Sequence, residues 1–345
     1  MKKLSILIAV VTIVSNVAFA KIWRVNNNIG VNANFTTLQT AHDGAASGDT
    51  IFLESSATSY GSLNSSKKLV MIGTGYFLGQ NPGLQAFALP SYVDAITFNT
   101  GSEGSSIEGV STSTSAINVY VNNIVIRRNY LGTANDNINP DYICGAINIY
   151  SGASNIFITQ NFALTISSNS TSIGILISNN FISFHSYYGE GATNNCINLN
   201  PTTVAIIKNN IFRRGTITAY NSNVSNNIMY AGFFGGSGNL ISNNISGGTQ
   251  FGTADGNKAS VDMTTVFQIT GSFDAAYKLK AGSPAIGAGY GSTNQSPVNC
   301  GIYGGSTPYV LSGIPAIPSI YFFANQPVGS NSDPIDVQIK VRSNN

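Results

Sequence analysis

Charge is what this sequence lacks most. Only 9% of its residues are charged, against about a quarter in an ordinary soluble domain. Lys and Arg number 16 and Asp and Glu 14, and two of the cations are Lys2 and Lys3 at the extreme N-terminus. No basic field is left to attract nucleic acid or anionic lipid. Cysteine is scarce too. Cys144, Cys196 and Cys300 are an odd set. Either one pair forms a disulfide with a thiol left over, or all three are small buried hydrophobes. No Cys/His spacing matches a metal site, so no cofactor or metal is implied. Long apolar runs are missing as well. The one candidate, Leu4 to Val14, is too short and too poorly flanked for a membrane span.

That run has another reading. Met1-Lys2-Lys3 precedes it, and Ala18-Phe19-Ala20 follows before Lys21. A charged start, a short apolar core and a small-x-small site describe a secretory signal peptide, residues 1–20. The mature chain then starts near Lys21 and is secreted or held at the cell surface. Without Lys2 and Lys3 its formal charge is near zero. No cysteine follows the cut, which argues against a lipid anchor there. Solubility falls to Asn, Ser, Thr and 36 glycines, a composition that suits an exported β-rich protein and not long amphipathic helices.

What the chain does have is a repeat. Between Ala116 and Ser246 an apolar run leads six times into an asparagine followed by mostly apolar residues. Ile124-Val-Ile-Arg-Arg-Asn129-Tyr-Leu and Ile175-Leu-Ile-Ser-Asn-Asn180-Phe-Ile are clear copies, and Asn161, Asn210, Asn227 and Asn244 anchor the others. A second repeated strand lies upstream: Ala116-Ile-Asn-Val-Tyr120, Ala146-Ile-Asn-Ile-Tyr150 and Cys196-Ile-Asn-Leu-Asn200. A unit near 20 residues built of short strands cannot bury its apolar face alone and must stack on copies of itself. The prediction is an all-β, right-handed parallel β-helix of about eight or nine coils, with rungs about 4.8 Å apart. The six anchors Asn129, Asn161, Asn180, Asn210, Asn227 and Asn244 would stack as an amide ladder. Ser106-Ile-Glu-Gly109-Val110 has the same shape, with Gly109 twenty residues before Asn129.

The flanks divide the chain further. Leu38, Ala41 and Ala45 share a helical face, then Gly48-Asp49 turns into a strand at Thr50 to Leu53. Residues 21–58 are expected to form an N-terminal cap with a short helix, in which His42 is structural and Asp49 bonds backbone amides. Residues 59–289 form the solenoid. Residues 290–345 are a Pro/Gly-rich tail, with 304–318 expected as an extended surface segment. Two terminal strands follow, and the alternating Ile335, Val337, Ile339 and Val341 face of the second should be docked.

At this level the chain resembles secreted bacterial right-handed parallel β-helix proteins of the pectate-lyase-like superfamily. Three stretches carry the likeness: Leu38-x-x-Ala41 through Gly48-Asp49-Thr-Ile, the Asn-Asn-[Ile/Phe] turns, and Leu279-Lys-Ala-Gly-Ser-Pro-Ala-Ile-Gly-Ala-Gly289. The resemblance spans about residues 35–289 and implies the fold. It does not imply one activity, because that superfamily holds lyases, hydrolases, epimerases and adhesins. A pectate-type lyase needs clustered acids for Ca²⁺, and polygalacturonases carry Asn-Thr-Asp, Asp-Asp and Gly-His-Gly segments. Neither pattern is present.

The candidate site comes from irregular spacing. Successive anchors lie 32, 19, 30, 17 and 17 residues apart. The two long coils carry extra residues after the same strand, and insertions at one repeat position emerge on one face. They hold Tyr130, Asp136, Asp141 and Tyr142 in the first, and His185, Tyr187, Tyr188 and Glu190 in the second. Aromatic faces beside carboxylates suit a sugar-binding groove. The expected function is therefore non-catalytic binding of extracellular polysaccharide or a surface partner. The alternative is a polysaccharide lyase or glycoside hydrolase, which would need a carboxylate pair about 5–9.5 Å apart. Of the doublets Arg127-Arg128 and Arg213-Arg214, the outward members read as solvated wall residues, and one could serve a lyase as base.

Overall fold

The computed structural model describes residues 20–112, 115–132, 144–184, 194–330 and 334–344. Three parallel sheets run the length of a solenoid. Sheet 1 has ten strands, from Ile22–Val25 to Leu240–Ser242, and sheets 2 and 3 have eight each. Sheet 2 runs from Ser91–Val93 to Ile245–Ser246 and sheet 3 from Leu63–Ser65 to Phe233–Gly235. One coil passes through all three: Val125–Arg127 lies in sheet 1, Tyr130–Leu131 in sheet 2 and Ala146–Ile149 in sheet 3, and Phe157–Thr159 returns to sheet 1.

Strands of two to four residues hold because each points its apolar members inward and repeats that choice one rung up. In sheet 1 the column Ile51, Met71, Ile107, Ile126, Ile158, Ile177, Ile207 and Val224 is in continuous register and fully buried. Leu63, Ile96, Ile117, Ile147, Ile166, Ile197 and Ile217 do the same in sheet 3. No single rung could bury such a column by itself.

The corner between sheets 1 and 2 is where asparagine is needed. The residue before each anchor has a left-handed backbone: φ is 54° at Arg128, 60° at Gln160, and 57°, 56°, 59° and 56° at Asn179, Asn209, Asn226 and Asn243. Asparagine tolerates that conformation better than most residues, which explains the Asn-Asn doublets. The anchor then turns its side chain inward. Asn129 Nδ2 donates to Asn161 Oδ1 at 3.1 Å. The chain of amides continues through Asn180, Asn210, Asn227 and Asn244 at 2.9–3.0 Å. Each Nδ2 also donates to a carbonyl of the coil below, as Asn180 does to Ile158. Asn257 ends the stack, accepting from Asn244 at 3.0 Å. That rung has no apolar residue after it and escapes the sequence pattern. At the other end Gly109 pairs with Arg128 and Val110 takes the anchor position, its N–H donating to Asn129 Oδ1. The register there is one residue off the twenty-residue match to Asn129.

A second core lies outside the solenoid, and the sequence did not announce it. The residue after each anchor points outward from sheet 2: Tyr130, Phe162, Phe181, Ile211, Ile228 and Ile245 are all at most 5% exposed. They are covered by Tyr76 and Phe77 from a loop after the third strand of sheet 1, and by Phe267, Phe273, Tyr277, Ile302 and Tyr309 from the C-terminal region. The segment 304–318 is thus only in part the expected surface segment: residues 305–308 are exposed, but Tyr309 and Ile314 are buried. Asp274 pins this cover, accepting from Asn81 Nδ2 at 3.0 Å, Tyr309 OH at 3.0 Å and the Ser312 N–H at 2.6 Å.

The docking expected of the last strand also fails. Ser319–Asn325 and Val337–Arg342 form an antiparallel hairpin, and Ile335, Val337, Ile339 and Val341 are all more than half exposed. Within the ribbon Val341 pairs with Ile320 and Ile339 with Phe323, while Val337 pairs with Asn325. At the N-terminal end the helix Leu38–Gly44 buries Leu38 and Ala41, with Ala45 just beyond it, in the interior core. His42 is 3% exposed; its Nε2 accepts from the Ser66 N–H, which leaves the proton on Nδ1, facing Asp43. Among the described residues no helix is long and apolar enough to cross a membrane.

Candidate functional site

Both long coils depart from the regular repeat at the corner between sheets 2 and 3. The strand Tyr130–Leu131 leads through the first insertion into Ala146–Ile149, and Phe181–Ser183 leads through the second into Asn195–Asn198. Asp136, Asp141 and Tyr142 of the first insertion, and His185, Tyr187, Tyr188 and Glu190 of the second, lie outside the described residues. Tyr130 is described, and its candidate role is corrected. Its ring is 5% exposed, 4.8 Å from Phe77 and 5.7 Å from Tyr76 between ring centres. It belongs to the second core, because the residue after the anchor points outward from sheet 2, here onto the Tyr76–Phe77 loop.

The strands that the insertions enter carry a different set of groups. On sheet 3, residues alternate inward and outward. The outward register runs from Asn64 through Asn118, Asn148, Ser167 and Asn198 to Thr218. These side chains are half-buried or exposed between fully buried isoleucines. Asn148 Nδ2 donates to Asn118 Oδ1 at 3.1 Å, and Ser167 Oγ donates to Asn148 Oδ1 at 2.9 Å. Two residues further along each strand the outward position is Tyr120, then Tyr150, Asn169, Asn200 and Tyr220. Backbone bonds from Tyr120, Tyr150, Asn169 and Asn200 to the neighbouring rungs hold that register. The rings of Tyr120 and Tyr150 stack, with centres 4.7 Å apart and planes 12° from parallel. Tyr220 sits three rungs from Tyr150, about 14 Å at the usual strand spacing. The face is therefore a strip of amides and hydroxyls beside aromatic rings, open to solvent and lacking any acid in these two columns.

None of these residues was singled out as a site by the sequence. The signal was available in Ile117-Asn118-Val119-Tyr120 and Ile147-Asn148-Ile149-Tyr150, where alternation alone puts Asn and Tyr outside.

Other candidates resolve into structural roles. Arg127 makes an ion pair with Glu108 one rung below, Nε to Oε2 at 2.6 Å. Arg128 is half-buried instead, its Nε donating to Gln160 Oε1 at 2.7 Å and a terminal nitrogen to the Ile314 carbonyl at 2.8 Å. It straps the C-terminal cover to the asparagine corner. Arg213 lies 4.6 Å over the Tyr230 ring, and Arg214 is buried. Cys196 and Cys300 are buried free thiols, and Cys144 is half-buried. Burial pushes the Cys196 and Cys300 thiols up to about 12, so neither offers a thiolate nucleophile at neutral pH. Among the described residues no group of three or more His, Cys, Asp or Glu side chains is placed to hold a metal. Against family models, curated proteins and solved structures, the chain has no match.

Proposed function

We propose that this chain is an exported, right-handed β-helix protein of pectate-lyase-like type that binds extracellular polysaccharide without cleaving it. The binding face is the outside of sheet 3, whose strands Ala146–Ile149 and Asn195–Asn198 follow the two insertions in the chain. The stacked Tyr120–Tyr150 pair beside the Asn118–Asn148–Ser167 ladder is the observation that carries this reading. Sugar rings have apolar faces that pack on aromatic planes, and their hydroxyls both donate to and accept from amides. Half-buried carboxamides and hydroxyls that keep hydrogen-bonding capacity beyond their bonds to one another suit a neutral or weakly charged polymer lying along the solenoid. Cleavage by acid–base chemistry would need paired carboxylates, and the two columns supply none.

The test is a panel of acidic and neutral polysaccharides, scored for retention and for unsaturated or reducing-end products. Retention without products supports the proposal. Products would move the reading to a lyase or hydrolase using the insertion acids Asp136, Asp141 and Glu190. Absence of both would leave a purely structural role for the solenoid.

A further inference from the structure

Asp49 presents an unusual situation at the first rung. Its carboxylate is 5% exposed, and no lysine, arginine or histidine side chain pairs with it among the described residues. One oxygen, Oδ2, is occupied by Trp23 Nε1 at 2.8 Å and the Ala46 N–H at 2.9 Å. The other, Oδ1, receives the backbone nitrogen of Lys21 at 2.8 Å. The Lys21 side chain is elsewhere, its Nζ 3.4 Å over the Trp23 ring. Lys21 itself is held, since its carbonyl accepts from the Thr50 N–H at 2.8 Å. Ala20, the residue before it, is exposed. A nearly buried carboxylate without a counter-ion is costly, and the group aimed at it is the nitrogen that a cut after Ala18-Phe19-Ala20 would free.

We propose that Asp49 is the docking site for a chain terminus made by processing: hydrolysis of the Ala20–Lys21 bond places the new α-ammonium of Lys21 on the Asp49 carboxylate. The step consumes water and needs a leader-removing endopeptidase. Ala20 leaves with the new carboxylate, and the Lys21 amine takes up a proton. The neutral N–H donor to Oδ1 becomes an ammonium, so a hydrogen bond to the carboxylate becomes an ion pair, and the first strand of sheet 1 is locked onto the second. The inference rests on the export reading, but the ion pair can be tested separately from it.

Full-length chain is expressed in an export-competent bacterium, and the exported protein is weighed intact. The expected first residue is Lys21; a different first residue overturns the proposal. Retention of residues 1–20 in a chain that never leaves the cytoplasm counts against export alone. The ion pair is tested on chain prepared to begin at Lys21 and on the same chain extended by Gly-Ser. The extension should lower Tm by about 2–4 °C, and in Asp49→Asn the two forms should melt together. Equal Tm values with Asp49 intact overturn the docking. Should Asp49→Asn fail to fold, acylation of the Lys21 α-amine at neutral pH decides. The docked amine should react several-fold more slowly than the terminal amine of the extended form, and equal rates overturn the proposal.

Discussion

Two stacks of asparagine run along this molecule, and they differ in what surrounds them. At the corner of sheets 1 and 2, the amides from Asn129 to Asn244 form a ladder closed on every side: each is fully buried, with partners above, below and in the backbone, and Asn257 ends it. On sheet 3, Asn118 and Asn148 make one amide-to-amide bond, Asn148 also accepts from the Ser167 hydroxyl, and both side chains are only half-buried. The residue type and the rung spacing are the same. Burial makes the first stack scaffold, and exposure leaves the second free to exchange water for a ligand.

The comparison can be broken most sharply at Asn180. Asn180→Ala strips acceptors from the Asn161 N–H and side-chain amide and a donor from the Ile158 carbonyl. With buried polar groups left unmade at about 1–3 kcal/mol each, a loss of about 3 kcal/mol is expected in denaturant unfolding, with no change in polysaccharide retention by the protein that remains folded. The reverse profile is expected at Tyr120→Ala and Tyr150→Ala. Losing one aromatic platform should weaken polysaccharide binding about tenfold, the equivalent of about 1.4 kcal/mol, while Tm stays close to wild type. Binding that survives both changes would remove sheet 3 from the proposed function.

Asn148→Ala offers the direct contrast with Asn180→Ala. Half-buried and bonded to neighbours that can turn to water, it should cost at most about 0.5 kcal/mol of stability. A loss as large as that at Asn180 would mean that the two stacks do the same job. The smallest effect separates amides from acids. Neither stack titrates, so neither should make stability depend on pH. Asp49 should. Burial alone would raise its carboxyl, but bonds from the Lys21 N–H, Trp23 Nε1 and the Ala46 N–H hold it below the ordinary value. A depressed carboxyl contributes stability above its unfolded pKa of about 4, and the contribution fades as pH falls through the folded value. Thermal melts between pH 2 and 5 should therefore fall less steeply for Asp49→Asn than for wild type, whereas Asn180→Ala should keep the wild-type slope.

Much of this organisation was legible in the residues. Alternation and the asparagine anchors place the strand order of a coil, and the Asn-Asn doublets mark a corner with one left-handed residue. The same alternation would have placed Asn148 and Tyr150 outside, had the short Ile-Asn-Ile-Tyr strands been read for their outward members as well as their inward ones. Tyr130 shows why the rest was harder. It follows its anchor as Phe162 and Phe181 follow theirs, and nothing local says whether that position meets solvent, ligand or protein. For Tyr130 the answer comes from Tyr76 and Phe77, far earlier in the chain, and for Phe162 and Phe181 from Phe273, far later. Arg128 could not be placed locally for the same reason, since the Ile314 carbonyl it donates to is 186 residues away.

The sequence by itself determined the rung, because a repeat of short apolar strands with one buried amide per turn has few ways to satisfy its backbone except by stacking. Only the tertiary structure decided which outer faces stay open. The C-terminal region covers sheet 2 and turns its outward column into a second core, while the outward tyrosines and asparagines of sheet 3 remain at the surface. That choice depends on where a distant, irregular segment packs, and hydrophobic burial is non-directional, so no local pattern encodes it.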